Sequence, residues 1–177
     1  IEPDVRAVEA LWVPQAGIVD YGIVARKYAE IFQSKGGEVF VNQKVVAIKD
    51  TNAGIVLETE ESQSVIQGKS WEASFFVNCS GLYSDHIARL TGEKLKVQII
   101  PFRGEYYELK PASEHLVRNL IYPVPNPDFP FLGVHFTRMI HGGIEAGPNA
   151  VLAFQREGYS RWDLDFKELG ETLAFSG

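Results

Sequence analysis

The chain has 177 residues, of which 45% are hydrophobic and 23% charged, a composition typical of a globular domain with its own core. Its formal net charge of −6 and its lack of a basic stripe argue against nucleic acid and anionic membrane surfaces as partners. The single cysteine excludes an internal disulfide framework and suits a reducing compartment, and no apolar run reaches the roughly 18 residues of a transmembrane helix.

The first 60 residues predict one helix followed by strands. Asp20 is a suitable N-cap for a helix over 21–34, and the glycine pair at 36–37 can end that helix. Three strand-like segments come next, at 38–42, 44–50 and 55–60. A turn signal at 51–54 separates the last two.

The stretch SFFVNCSGLYSDHIARLTG, residues 74–92, predicts a strand, a glycine turn and a short helix. The strand is apolar on both faces, as buried parallel strands are, so Cys79 is expected to be packed. Ser84 or Asp85 can cap the helix, and Gly92 can end it. Nucleotide-binding units are often built in this way, but no GxGxxG precedes the stretch anywhere in the sequence.

The second half of the chain predicts a mostly antiparallel sheet. Five short segments rich in aromatic and β-branched residues are separated by Gly and Pro: 97–102, 104–109, 120–125, 131–136 and 150–154. A helix is predicted over 165–175, with Asp165 as its cap and Glu168 three residues on. The fold class is therefore α+β, with one α/β piece near the middle. This order suggests a chain that leaves a nucleotide-binding domain, forms a substrate domain and then returns to the nucleotide-binding domain.

Two positions could contact a cofactor or an anion. Gly81 has no side chain and would let a cofactor approach the backbone at the start of a helix, but an ordinary tight turn uses the same residue. Arg103 lies beside a glycine between two strands. Its guanidinium could hold a carboxylate, or it could be a surface group at a strand end.

The segment PFLGVHFTRMIHGG carries two histidines and an arginine. If 131–136 is a strand, His135 shares a face with Gly133 and could look into a cavity. Histidine is the usual general base near neutral pH. The alternative is a core histidine that is satisfied by a backbone carbonyl.

Gly147-Pro148-Asn149 has the signature of a turn. Asn149 could bind a ligand there or cap the turn. The four histidines show none of the tight metal-binding spacings, so no metal site is expected.

Several segments together resemble the FAD-dependent oxidoreductases of the D-amino-acid oxidase superfamily. They are GIVDYGIVARKYAEIFQSKGGEVFVNQKVVAIK, FFVNCSGLYSDHIARLTG, IIPFRGEYYEL, LIYPVPNPDFPFLGVHFTR and EAGPNAVLAFQREGY. The resemblance covers nearly the whole chain. PFRGEYY and YPVPxPxxPFLGVHFTR are specific to the subgroup that oxidises L-2-hydroxyglutarate, whereas VNCSG is generic to the superfamily.

The resemblance implies FAD as the cofactor of the full-length protein. KVVAIK resembles the strand whose backbone contacts the adenine, which makes Val45 and Val46 candidates. NCSGLYSD resembles a strand and turn that return to the FAD domain, with Gly81 near the cofactor. Tyr83 departs from the pattern, since many relatives have Trp there. The implied segments are a substrate domain with the adenine-side strands at 1–74, the return of the FAD-binding domain at 75–92, and the rest of the substrate domain at 93–177.

The implied reaction oxidises L-2-hydroxyglutarate to 2-oxoglutarate, as a base removes the hydroxyl proton and the C2 hydride passes to the flavin. His135 is expected to be the base or a partner of the reacting hydroxyl, and Arg103 a carboxylate clamp or a flavin-side residue. Further candidates for substrate binding are Arg138, His141, Gly142 and Asn149. The expected electron acceptor is oxygen or a quinone. The expected location is cytoplasmic, or peripheral at the inner membrane.

The chain does not begin with Met and reads as an internal segment, so a GxGxxG and a C-terminal flavin-contacting segment are expected outside it. By itself it is expected to bind FAD weakly or not at all and to be inactive. Two alternatives stay open. One is the substrate domain of another superfamily member that acts on an amino acid or glycerol 3-phosphate, and the other is a non-catalytic binding module.

Overall fold

The computed structural model describes residues 1–61, 68–128 and 133–175. The chain forms two compact units, each built from two separate stretches. Unit 1 consists of Ile1–Gly36 and Phe102–Leu152, and unit 2 of Gly37–Pro101 and Ala153–Gly177. Each unit contains one three-stranded antiparallel sheet, and helices complete both, so the predicted α+β class is confirmed.

These compact units are defined by contacts alone, and the functional divisions expected at 74/75 and 92/93 stay a prediction. Contacts keep 37–101 together in unit 2 because the sheet of that unit is formed by strands between 43 and 73. The segment 153–177 also belongs to unit 2. Which unit serves the cofactor and which the substrate stays a prediction.

Helix α1 spans Tyr21–Ser34, as predicted. The carboxylate of Asp20 caps it by accepting hydrogen bonds from the backbone N–H groups of Gly22 at 2.7 Å and Ile23 at 3.1 Å. Gly36 has a φ of +88°, a left-handed conformation that glycine adopts readily, and the chain leaves the helix there.

The sheet of unit 2 has the order β1-β2-β3, with β1 at Gln43–Thr51, β2 at Gly54–Glu61 and β3 at Lys69–Ala73. The predicted turn joins β1 to β2, and the Thr51 hydroxyl donates to the carbonyl of Gly54 at 2.8 Å. The predicted strand at 38–42 is wrong, since β1 begins only at Gln43. Strand β3 was not predicted.

The predicted buried strand at 74–81 is also wrong. Residues 75–80 lie outside helices and strands. The side chains of Phe75 and Val77 are 88% and 76% exposed, and Cys79 is exposed rather than packed. A parallel strand needs hydrogen-bonding neighbours, and none of the strands that the structure describes pairs with this segment.

Helix α2 spans Ser84–Arg89 and follows a 3₁₀ turn over Gly81–Tyr83. The expectation that Ser84 or Asp85 caps the helix is wrong, because both lie inside it and Tyr83 holds the cap position. The backbone N–H of Gly92 donates to the carbonyl of Arg89 in the turn that ends the helix.

The sheet of unit 1 has the order β4-β6-β5, with β4 at Phe102–Glu108, β5 at His135–Arg138 and β6 at Ile144–Leu152. Strand β4 was predicted, but the segment before it is irregular up to Pro101. The predicted strand at 120–125 is reduced to a single bridge between Ile121 and Phe136. Of the predicted strand at 131–136, the first two residues lie outside the described residues and the strand begins at His135.

The turn predicted at Gly147-Pro148-Asn149 is wrong, because these residues lie within β6. The register of β4 against β6 shifts between Glu105 and Tyr107. A Cβ on Gly147 would lie only 2.6 Å from the ring of Tyr106. Glycine is therefore needed here for close approach of a side chain rather than for a turn.

Helix α3 spans Phe166–Ala174. Asp165 caps it, as predicted, by accepting from the N–H groups of Lys167 and Glu168 at 2.8 and 3.0 Å. The side chain of Glu168 accepts instead from the backbone N–H of Arg156 at 2.6 Å. None of the helices that the structure describes is long and apolar enough to cross a membrane.

Candidate functional site

His135 is a buried residue at the start of β5, with 7% of its surface exposed. Its Nδ1 lies 3.0 Å from the carbonyl oxygen of Gly133. A carbonyl can only accept, so Nδ1 carries the proton in this contact. In the neutral form of the ring, Nε2 is then the nitrogen that can accept a proton.

Two tyrosines fix the plane of the His135 ring. Tyr122 stacks on it, with 4.5 Å between ring centroids and 17° between planes. Tyr106 meets it edge-on, with centroids 6.4 Å apart and an interplanar angle of 75°. The carbonyl contact is what a core histidine would show and also what would orient a general base, so the role of His135 as a base stays a prediction.

A cavity of about 500 Å³ lies in unit 1. Its walls come from the N-terminal segment 11–18, from 118–122 and from the end of β5. Arg118 and Arg138 line it, and none of the described residues that line it is acidic. The two guanidinium groups give this wall positive charge that suits an anion, and the carboxylate of Glu2, which accepts from the backbone of Arg118, offsets part of that charge.

Arg138 is the one sequence-predicted candidate that lines this cavity, while the other candidates of unit 1 do not. Its Nη1 donates to the carbonyl of the buried Val117 at 2.7 Å, which holds the guanidinium in place. Strand β5 pairs regularly with β6, so Arg138 and His135 alternate to opposite faces. Tyr122 connects the two features, since it lines the cavity and stacks on His135.

The N-terminal segment is tied to the cavity wall through Glu2. Its carboxylate accepts from the backbone N–H of Arg118 at 3.0 Å and from the side-chain amide of Asn119 at 2.6 Å. Burial raises the pKa of Glu2, but these hydrogen bonds and the charge of Arg118 outweigh burial and hold the pKa below its ordinary value. The carboxylate form therefore stabilises this attachment.

Arg103 lies in β4 opposite Val151, and its Nη2 forms an ion pair with Glu105 at 2.8 Å. Asn149 is exposed in β6, opposite Glu105. The other two candidates, His141 and Gly142, are exposed in the connection between β5 and β6.

The candidates for cofactor binding all lie in unit 2. Val45 pairs with Thr59, and a register shift leaves Val46 without a partner residue in β2. β1 is an edge strand of its described sheet, so the backbone of this bulge is open on the side away from β2.

Gly81 has a φ of +53° and an exposed backbone. Among the described atoms outside its chain neighbours, none lies within 4 Å of where a Cβ would stand. The side chain of Asn78 bonds to the backbone of this turn. Its Oδ1 accepts from the N–H of Ser80 at 3.1 Å, and its Nδ2 donates to the carbonyl of Ser84 at 2.7 Å. Asn78 therefore bonds to both ends of the turn, while the backbone at Gly81 is left open.

Tyr83 is half-buried at the end of this turn. Burial raises the pKa of its hydroxyl, and the carboxylates of Glu157 and Glu168 raise it further. The phenol is therefore a neutral hydrogen-bonding group at physiological pH.

Arg118, Tyr122 and the ion pair of Asp85 with Arg156 were not predicted from the sequence. Tyr122 comes from a segment read only as a strand, Arg118 lies just before that segment, and only the fold shows what they face. Asp85 was read as a helix cap, and nothing in the sequence near Arg156 marks it as buried. Over residues 1–61, 68–128 and 133–175, no cluster of three or more His, Cys, Asp or Glu could hold a metal ion.

Comparison with protein families matches residues 1–174 to the family described as FAD dependent oxidoreductase. The chain is 54% identical over 177 residues to an L-2-hydroxyglutarate dehydrogenase of Indibacter alkaliphilus, covering 99% of the chain and 43% of that protein. It is 44% identical over 176 residues to the L-2-hydroxyglutarate dehydrogenase of Escherichia coli K12, covering 99% and 40%. The mitochondrial L-2-hydroxyglutarate dehydrogenase of Mus musculus is 42% identical over 181 residues, with 99% and 39% covered. The chain thus spans less than half the length of these relatives.

Proposed function

Because the chain belongs to the FAD-dependent oxidoreductase family, we propose that it forms the substrate-binding portion and part of the cofactor site of a flavoenzyme that oxidises L-2-hydroxyglutarate to 2-oxoglutarate. The names of its relatives support this substrate. The observation that carries the proposal is the cavity of unit 1, which is lined by two arginines and by no acidic residue among its described lining residues.

FAD fits the open surfaces of unit 2. The uncovered backbone at Gly81 can admit a flat ligand, and the bulged edge of β1 at Val46 offers backbone groups to an adenine. Val45 and Tyr83 flank these two surfaces and are proposed to contact the cofactor with them. When bound, FAD supplies the acceptor for the hydride that leaves C2 of the substrate.

His135 is proposed to take the proton of the substrate hydroxyl. The carbonyl of Gly133 holds Nδ1 protonated, so Nε2 is available to accept a proton, and the stack on Tyr122 keeps the ring from turning. The buried setting excludes water from most of the ring, which strengthens its hydrogen bonds.

Arg138 and Arg118 are proposed to attract the dianionic substrate to the cavity that they line. Tyr122 lines the same cavity and stacks on His135, so it connects the two arginines with the proposed base on the other face of β5. A guanidinium matches a carboxylate with two parallel hydrogen bonds. The bond to the Val117 carbonyl uses one nitrogen of Arg138 and leaves other N–H donors to meet a carboxylate.

The remaining candidates have weaker structural support. Arg103 is proposed as a flavin-side residue, since its guanidinium already pairs with Glu105. His141, Gly142 and Asn149 are proposed to line the site when substrate and cofactor are bound. Oxygen or a quinone is proposed as electron acceptor, and the cytoplasm or the surface of the inner membrane as location.

The test uses the full-length protein with bound flavin under anaerobic conditions. L-2-hydroxyglutarate is expected to bleach the flavin absorbance rapidly, and D-2-hydroxyglutarate and glycerol 3-phosphate are expected to leave it unchanged. Bleaching by glycerol 3-phosphate or an amino acid, but not by L-2-hydroxyglutarate, would assign another substrate within the family. A protein that binds no flavin at all would favour a non-catalytic binding module.

A further inference from the structure

Unit 2 contains a buried ion pair that the proposed chemistry does not use. Nη2 of Arg156 lies 2.7 Å from Oδ2 of Asp85, and the two side chains are only 3% and 4% exposed. Removing two charges from water is costly, so such a pair is retained only where further hydrogen bonds satisfy it. Asp85 also accepts from the backbone N–H of Ile99 at 3.2 Å.

Arg156 reaches from this pair to the Gly81 turn, defined here as residues 80–84. Its Nη1 donates to the carbonyl of Leu82 at 2.5 Å, and its guanidinium carbon lies 6.0 Å from the ring centroid of Tyr83. Asn78 holds the N–H of Ser80 and the carbonyl of Ser84, at the two ends of the turn. Asn78 therefore bonds to the two ends of the turn, and Arg156 supplies the hydrogen bond to its middle residue, Leu82.

Arg156 is itself held from the other side. Its backbone N–H donates to the side chain of Glu168 in α3 at 2.6 Å. The arginine thus joins three parts of unit 2: the loop after β6, helix α3 and the Gly81 turn. A lysine could keep the charge toward Asp85, but a single ammonium cannot reproduce the forked contact to both Asp85 and Leu82.

We propose that Arg156, locked by Asp85, is a positioning residue that sets the backbone of the Gly81 turn for FAD binding. This inference rests on the proposed function, since it assigns the turn to the cofactor. Arg156 is buried behind the turn and acts through the Leu82 carbonyl and the Tyr83 ring. It is not a group that touches the reacting atoms.

The experiment compares Arg156→Lys and Arg156→Gln with the wild type in the full-length protein. FAD is titrated into the apoprotein well below the thermal midpoint of each variant, and flavin fluorescence gives the dissociation constant of the folded form. The constant is expected to rise by about tenfold in Arg156→Lys and further in Arg156→Gln. The visible circular dichroism of bound FAD is expected to change in both variants.

Arg89→Gln is the matched control. Arg89 also pairs with Asp85, at 3.4 Å, but its side chain is 35% exposed and its described contacts are with Asp85, Gln98 and Glu171 rather than with the turn. Its FAD affinity is expected to stay within about twofold of the wild type. Equal loss of affinity in Arg89→Gln and Arg156→Lys would overturn the assignment to the turn.

The outcomes separate the two proposals. If the wild type binds FAD and Arg156→Lys binds it with an unchanged constant and spectrum, the positioning role is overturned while the proposed function stands. If the wild type itself binds no FAD, the proposed function is overturned, and this inference with it. If Arg156→Gln does not fold, Arg156→Lys carries the comparison alone.

Discussion

The ring of His135 lies on that of Tyr122 with 4.5 Å between centroids and 17° between planes, while its Nδ1 points at the Gly133 carbonyl. The two contacts have different effects on the imidazole. The stack fixes the plane of the ring, and the hydrogen bond to the carbonyl fixes its tautomer. Together they leave Nε2 as the position from which the histidine can accept a proton.

Replacing His135 with Gln is expected to lower kcat by about 10²–10⁴-fold, because a positioned general base contributes that much. Flavin content is expected to be unchanged, since His135 has no described contact with any of the residues proposed to hold the cofactor. The measurement is steady-state kinetics together with the flavin absorbance of the purified protein. His115→Gln, an exposed position outside the site, is the control. A wild-type rate in His135→Gln would remove this residue from the mechanism.

Tyr122→Phe and Tyr122→Leu separate the stack from the hydroxyl. Phe keeps the aromatic face on His135 and loses only the long 3.4 Å contact between the phenol and the Thr137 hydroxyl. Leu loses the stack, which is expected to reduce the free energy of unfolding by about 0.5–1.5 kcal/mol and to lower kcat. Thermal unfolding and kinetics of both variants are the measurements. Equal effects in the two variants would show that the hydroxyl, not the stack, is what matters.

Arg118→Met tests the anionic substrate. Arg118 is exposed on the cavity wall, so its loss is expected to raise KM by about tenfold while leaving the thermal midpoint unchanged. The effect should be smaller for a substrate with one carboxylate than for L-2-hydroxyglutarate. Arg161→Met, at an exposed arginine of unit 2, is the control. An unchanged KM in Arg118→Met would exclude this arginine as an anchor.

The pH dependence of stability reports on Asp85. Burial raises the pKa of this carboxyl, but the hydrogen bonds from Arg156 and Ile99 outweigh burial, so its folded pKa lies below the ordinary 3.8. A carboxyl with a lowered folded pKa stabilises the fold above its unfolded pKa, and this contribution is lost as the pH falls through the folded pKa. Asp85→Asn is expected to be about 3–5 kcal/mol less stable at neutral pH, because it leaves a buried arginine unpaired.

Urea unfolding of the wild type and Asp85→Asn from neutral pH down to about pH 3 measures this loss. The gap between their free energies of unfolding is expected to narrow below about pH 4, where Asp85 of the unfolded chain binds a proton that the folded ion pair still excludes. A gap that is constant over this range would contradict the assignment.

Two glycines give opposite expectations for the same substitution. Gly147→Ala would drive a Cβ to 2.6 Å from the Tyr106 ring and 2.9 Å from the Glu105 carbonyl, and is expected to destabilise by about 1–3 kcal/mol. Gly170→Ala lies within α3, where no described atom would meet the new Cβ within 4 Å. It is expected to stabilise by about 0.5–1 kcal/mol. Thermal unfolding of both variants tests the contrast, and a stable Gly147→Ala variant would contradict the close packing of Tyr106.

The elements predicted correctly are those with local causes. Helices α1 and α3 each begin at an aspartate that accepts from its own first turn, and the β1–β2 hairpin follows its turn residues. The segment 74–81 was misread because apolar residues alone do not say which strands lie beside them. Gly147 was misread as a turn residue because the group that requires a glycine there, the ring of Tyr106, lies 41 positions earlier in the chain.

The candidate site was partly predictable. His135 and Arg138 stand out in one short segment, and the structure gives the first a fixed tautomer and the second a place on the cavity wall. The residues that complete the cavity come from 11–18 and 118–122, about a hundred positions apart. A local sequence pattern cannot predict that segments so far apart will contact each other. The same holds for Asp85 and Arg156, which are 71 positions apart.

The interleaving of the two units constrains the order in which the chain can fold as it leaves the ribosome. Unit 1 begins at Ile1 but ends at Leu152, and unit 2 begins at Gly37 and needs residues after Ala153. Synthesis from the N-terminus therefore completes neither unit until most of these 177 residues have emerged. The edge of β1 and the apolar side chains of Phe75 and Val77 are exposed even in the folded chain, so folding of these residues does not cover them. This chain is consequently expected to depend on chaperones during synthesis more than a protein whose domains follow one another along the sequence.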